Sequence, residues 1–411
     1  MRQKVTLRAC AAVSALIVGA TLVTTACDSR SVVTGSNQDC PATPGVTPTD
    51  VTYGLLYPTT GVDTSTFTPY RAGIDARLGL ANDQGGIYGR RIQYTWADDG
   101  ATAQNNLVQA QHLVNYNKVF GVQEFSSSPQ GSAPWLNREG IPVVGTSDDA
   151  VWAQYNNMFS YFNLITPHGG SITTWGDYAK SQHTKKVAVL IAQLSPESEA
   201  FGTEMAASMR AVGIQVQIIN FDAVNLDTPE LVARIRDSGA DMITGVFDAT
   251  KFVLTTLAVR AAIPTIKILS ASGYDLGILA VGKNLAGMGV FTAFLPFETP
   301  VPAQKIFINA MTKYSPQQLQ PANEIALVGW IETDLLLRGL QAAGRCPTRQ
   351  SFITNLRNVT NYSAGGLLAT SVDMKSLFGK LTVCYSFLQI SHDGKKFVPV
   401  GPKSLCGSSV Q

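Results

Sequence analysis

Two short polar runs carry the side chains best suited to gripping a small molecule. Ser126-Ser127-Ser128 follows the apolar run VFGVQ (119–123). Where a strand ends and a helix begins, hydroxyls and free backbone N–H groups can hold a carboxylate or another polar head. Serines in such places also cap helices routinely, and the residues alone leave the two roles open. Gly145-Thr146-Ser147 closes the run IPVVG (141–145) with the same ambiguity, since Ser147 ahead of Asp148-Asp149 can serve as a cap. Covalent and metal chemistry have less to work with. His112, His168, His183 and His392 are scattered without metal-pair spacing, and there is no GxSxG elbow, P-loop or HExxH. Asp98-Asp99 and Asp148-Asp149 are acidic pairs of the kind that loops and helix starts solvate or use as caps. NDQGGIYGRRI (82–92) lacks the GxGxxG spacing, and its glycines follow a helix instead of opening one. No enzyme activity, metal or cofactor is expected.

The six cysteines speak to compartment. Residues 1–26 have the form of an export signal: Arg2, Lys4 and Arg8, an apolar run from Ala9 to Val23, then Thr24-Thr25-Ala26. The run is shorter than the roughly 20 residues a spanning helix needs. With Cys27 next, the segment resembles a bacterial lipoprotein signal, although Thr24 stands where such signals usually place Leu. Cys10 leaves with the signal. Lipid on Cys27 would leave Cys40, Cys346, Cys384 and Cys406, an even number suited to two disulfides outside the cell. Of the three possible pairings we expect Cys346–Cys384 with Cys40–Cys406. The formal charge is +2, and removing the three signal cations leaves −1 with mixed signs, so no basic stripe remains for nucleic acid. Residues 27–47, rich in Ser, Thr, Pro and Gly, read as a tether.

From Val51 onward, short β-branched runs alternate with amphipathic segments. VTYGLLY (51–57), IQYTWA (92–97), VFGVQ and IPVVG read as strands, with helices between them, one of which carries Tyr70, Ile74, Leu78 and Ala81 at helical spacing. The rhythm restarts after residue 165 with KKVAVLIAQ (185–193), GIQVQIINF (213–221), ADMITGVF (240–247) and IKILSAS (266–272). Residues 301–359 are mostly helical, and 380–400 read as a hairpin turning at Asp393-Gly394. Such alternation means parallel sheets with helices on both faces. Two α/β lobes follow, with a ligand expected in the cleft facing the carboxyl ends of the strands.

The motifs YGLLYPTTG (53–61), ANDQGGIYGRRI (81–92) and ADDG (97–100) resemble those of the branched-chain amino acid (Leu/Ile/Val) binding proteins. These are type I periplasmic solute-binding proteins of ABC importers. FG (120–121) leading into the three serines, EGIPVVG (139–145), AFG (200–202) and DMITGV (241–246) continue the likeness in order. The resemblance implies two Rossmann-like lobes joined by a three-strand hinge, a Venus flytrap. Residues 48–165 and 296–365 would form the N-terminal lobe, and 166–295 and 366–411 the C-terminal lobe. It implies an exported monomer, anchored by lipid on Cys27 to the outer face of the membrane and serving an ABC permease. The solute would be a small amino acid-like molecule or an organic acid, aromatic ones included. The alternative is a ligand-sensing domain without a transport role.

The same resemblance nominates Ser126, Ser127, Thr146 and Ser147 for the solute's head group and Phe67 for an aromatic wall. Phe201, Phe247 and Tyr274 would stand at the cleft edge of the second lobe. One departure bears on the ligand. Amino acid-binding relatives carry an acid after the strand that is Ile266–Leu269 here, and this loop has none before Asp275. Asp248 is the nearest substitute. Because burying an ammonium without a partner is costly, a neutral or anionic solute stays open.

Overall fold

The computed structural model describes residues 40–60, 64–193, 195–271 and 273–410. The export signal, Cys27 and most of the tether lie outside them. The first sheet holds β1 (Asp50–Leu56), β2 (Arg91–Ala97), β3 (Val122–Glu124), β4 (Val143–Gly145) and β5 (Met158–Phe159). Its strands are all parallel, in the order β2-β1-β3-β4-β5. Helices α1 (Thr64–Asp83), α2 (Ala103–Gln111), α3 (Ala133–Arg138) and α4 (Val151–Gln154) connect them. Helices cover both faces, so the central strands are buried on both; β1 and β4 are apolar there, while β3 carries the buried Gln123 and Glu124.

A second round follows β6 (Ser171–Ile172). Helices α5 (Thr174–Ser181), α6 (Pro196–Ala211), α7 (Thr228–Ser238) and α8 (Ala249–Ala262) alternate with β7 (Lys186–Ala192), β8 (Gln215–Phe221), β9 (Met242–Val246), β10 (Lys267–Ser270) and β11 (Met288–Thr292). Strand β11 was not expected from the sequence. The chain then returns to the first lobe as α9 (Pro302–Tyr314), α10 (Glu324–Ala343), α11 (Arg349–Arg357) and α12 (Met374–Leu377). It ends on the second sheet with β12 (Cys384–Ile390) and β13 (Phe397–Cys406), and β14 (Ser409–Val410) pairs with β6. The second sheet runs β13-β12-β11-β10-β9-β7-β8, with β12 antiparallel to both its neighbours.

Helix α10 is the spine of the first lobe and packs along α1. Its approach is close enough that a Cβ on Gly73 would sit 1.8 Å from the Ala326 carbonyl oxygen, and one on Gly329 2.3 Å from that of Tyr70. A larger residue at either position would force the helices apart. At their flank, Arg77 and Asp334 form an ion pair of 2.8 Å. Three segments cross between the lobes, and Asn163 ties two of them: its side-chain amide donates to the carbonyls of Leu377 (3.1 Å) and Lys380 (3.0 Å).

The disulfides are Cys40–Cys346 and Cys384–Cys406, which corrects the expected pairing. Register explains the second bond, because Cys384 and Cys406 stand directly opposite on β12 and β13. The first lies where the chain enters the first lobe beside the loop after α10. There Arg90 also bonds the carbonyls of Thr47 (2.8 Å) and Arg345 (2.7 Å).

Candidate functional site

Loops leaving the carboxyl ends of β3, β4, β7, β9, β10 and β11 converge on a cavity of about 360 Å³ between the two sheets. The first lobe contributes Phe67, Phe125, Tyr161 and Phe162, together with Ile325 and Val328 from α10. The second contributes Phe247, Phe291, Phe294 and Tyr385. Such a volume suits a small organic solute with an apolar body. Phe67 and Phe125 meet edge-on at 4.6 Å, and Phe247 is braced by Phe221 at 4.9 Å and Phe252 at 5.1 Å. These walls are positioned by their neighbours ahead of any ligand.

The ionisable carboxyl groups of the cavity have no basic counterpart among its described lining residues. Asp148 and Glu324 face it from the first lobe, Glu197 and Asp248 from the second, and no Lys, Arg or His is among its described lining residues. Glu324, at the start of α10, has its carboxyl pushed up to about 8 by burial, with the charge of Asp275 adding to the effect. Burial also raises Asp148 well above the carboxylate range, and the charges of Glu197 and Asp149 push the same way. The Asp148 Oδ1 atom is shut off from solvent and has no hydrogen-bond partner. Among the described residues no group of side chains could hold a metal ion.

Beneath the cavity lies a second layer of acids. Glu332 of α10 accepts hydrogen bonds from Tyr70 Oη and from Thr146 Oγ1 (2.5 Å), and its burial raises the carboxyl to about 8. Asn106 bridges Asp99 (3.0 Å) and Glu124 (2.8 Å), and Glu124 is likewise raised to about 8, chiefly by burial. Gly145 of β4 lies tight against β3, where a Cβ would stand 1.9 Å from the Glu124 carbonyl oxygen.

Five of the nominated residues line the cavity: Phe67, Ser127, Thr146, Phe247 and Asp248. Asp248 also caps α8, with Oδ1 accepting from the Lys251 N–H at 2.8 Å. The other four lie outside the lining. Ser126, 2% exposed, donates to Asp99 and accepts from the Ser128 N–H at 3.0 Å. Ser147 donates to Asn163 Oδ1 at 3.0 Å, beside the hinge. Phe201, 0% exposed, packs on Trp175 with ring centres 5.3 Å apart. Tyr274 donates to Glu298 (2.5 Å) and accepts from the Phe297 N–H (2.7 Å). Missed were Phe125, Asp148, Tyr161, Glu197, Phe291, Glu324 and Tyr385. Only Asp148 had been singled out, as half of an acidic pair.

The profile of a family described as periplasmic binding protein matches residues 50–395. The chain belongs to that family. This binding protein is 21% identical over 305 residues to a Leu/Ile/Val-binding protein homologue of Brucella melitensis, covering 72% of this chain and 80% of the relative. Among solved structures it resembles a Thermus thermophilus branched-chain amino acid ABC transporter protein with bound valine (TM-score 0.72, 16% identity, 87% of this chain and 96% of that one). It also resembles an R. palustris ABC transporter solute-binding protein in complex with 4-hydroxybenzoate (TM-score 0.73, 17% identity, 87% and 97%). These likenesses fix the fold as that of the type I periplasmic binding proteins. Membership of the family makes the binding protein an exported one, and among the described residues no helix is long and apolar enough to cross a membrane.

Proposed function

We propose that the protein captures a small amino acid-like solute between its lobes and presents it to the permease of an ABC importer. The apolar body of the solute lies against the aromatic walls, and its ammonium meets the cavity's carboxylates. The unpartnered, solvent-shielded Oδ1 of Asp148 carries this reading, because a buried acceptor without a donor is costly until a ligand supplies one. The relatives are named for branched-chain amino acids on one side and, on the other, acids without an ammonium, benzoates and a fatty acid. Charge separates the two for this chain. A benzoate would bring negative charge into a cavity lined by four acidic side chains and no described cation, whereas an ammonium would favour ionisation of the raised Asp148 and Glu324.

Solute would dock on one lobe, and closure would add the contacts of the other, shifting the population toward the form a permease recognises. Thermal-shift and calorimetric titration with leucine, isoleucine, valine, phenylalanine, benzoate and 4-hydroxybenzoate tests the proposal. Binding should raise the melting point for amino acids and leave it unchanged for the benzoates. The reverse selectivity would overturn it. We also propose the lipid anchor on Cys27, motivated by the cationic head and the small residues before it. Mass spectrometry should find a diacylglyceryl adduct there, and an unmodified Cys27 in a freely secreted protein would refute the anchor.

A further inference from the structure

We propose that the solute's cationic nitrogen is seated between Asp148 of the first lobe and Glu197 of the second, and that this seat accepts apolar amines with no carboxylate at all. The inference rests on the reading that a nitrogen cation is what the cleft holds, and extends it to a class of ligand.

Three observations support it. First, the two carboxylates come from opposite jaws. Asp148 stands in the loop after β4 and Glu197 in the first turn of α6, and both line the cavity. After burial, the negative charge of Glu197 is the first of those that raise Asp148. Burial and Glu197 together keep Asp148 from ionising on its own, and a cation seated between the two lets both carry charge.

Second, two of the four serine and threonine hydroxyls that line the cavity are engaged within the protein. The hydroxyl of Thr146 is committed to Glu332 (2.5 Å) and that of Thr292 to the Phe294 carbonyl (2.7 Å). Outside the lining, Ser126 is committed to Asp99 and Ser147 to Asn163. With no cationic side chain among the described lining residues, a carboxylate on the ligand finds neutral donors and no counter-charge.

Third, the remaining buried polar group is neutral. Tyr385 lines the cavity from the second lobe, is 2% exposed, and its hydroxyl has no hydrogen-bond partner. A phenol suits an uncharged hydroxyl or N–H end and supplies no counter-charge for an anion. Aromatic walls then hold the apolar body and add cation–π attraction near the nitrogen.

Calorimetry on the full-length protein with two matched pairs tests this: leucine against 3-methylbutylamine, and phenylalanine against 2-phenylethylamine. The amine of at least one pair should bind as tightly as its amino acid or tighter. Asp148→Asn and Glu197→Gln should each weaken that amine by about tenfold or more. Glu197 is only half-buried, in the first turn of α6, so its variant keeps the test valid even where Asp148→Asn alters folding. Amino acids that bind at least about tenfold more tightly than their amines would refute the seat while leaving the amino acid-like reading intact. Binding of 4-hydroxybenzoate alone would remove both. Amines that bind but ignore both substitutions would place the nitrogen elsewhere and overturn the assignment.

Discussion

Replacing Glu332 with Gln should make the protein more stable as the pH rises. Glu332 is fully buried on α10, where Tyr70 and Thr146 hydrogen-bond its two oxygens. Burial lifts its carboxyl from 4.5 to about 8, so at neutral pH the fold favours the protonated form. An unfolded chain releases that proton near 4.5, and the folded one keeps it until about 8. Between those values the native state binds the extra proton, and the parent therefore loses stability with rising pH. Gln carries no proton to lose, and it still accepts from Tyr70 while donating an N–H to Thr146. At ~1.4 kcal/mol per unit, the difference between variant and parent should grow to about 3 kcal/mol by pH 7. With an unfolding entropy of ~2.1 cal/mol/K per residue, that is a gain of about 4 °C in the melting midpoint. Glu124, Glu204 and Glu324 are also raised to about 8, so the parent itself should melt lower at pH 8 than at pH 5.5. Calorimetric melts of both proteins across this range decide the matter. A difference that stays flat with pH would show Glu332 to be ionised in the fold and refute the reasoning.

Three further outcomes follow from the packing. Phe247→Ala should weaken the largest apolar ligands by about tenfold, from the wall area lost, and small ones less, as read by titration across a size series. Ser126→Ala should lower stability by about 1–3 kcal/mol, because Asp99 loses a donor and the Ser128 N–H an acceptor. Solute affinity should stay within about threefold in that variant, and a tenfold loss would return Ser126 to the binding site. Cys40→Ser should cost about 2–5 kcal/mol in denaturant titration, more than Cys384→Ser, because the bond it removes closes a separation of 306 residues against 22.

The alternation of strands and helices was legible because most inner strands are short runs apolar on both faces, as KVAVLIA of β7 illustrates. Strand β11 was not, since Met288–Thr292 is a five-residue run that takes its strand character from lying between β10 and β12. Within the candidate site, Phe67 and Phe247 stand where strand-end loops must lead, and sequence order exposes them. Ser126 and Thr146 were visible for the same reason, but whether a hydroxyl faces a ligand or a buried acid depends on Asp99 and Glu332, remote in sequence. The carboxylates of Glu197 and Glu324 are brought to the cavity by two helix N-termini, one in each lobe, and their chain positions give no hint of that meeting. The cysteine pairing failed on register, which four spacings do not encode.

The Cys40–Cys346 bond also decides where mechanical load enters the molecule. Tension on the chain ahead of residue 40 divides between β1, which begins at Asp50, and the loop joining α10 to α11, and both belong to the first lobe. None of that path runs through the hinge. A protein held by its N-terminal end therefore has a fixed jaw and a free one, and drag or surface attachment at that end leaves the opening angle unloaded. For a sensor built from this chain, immobilisation belongs at the N-terminus and the reporter on the second lobe.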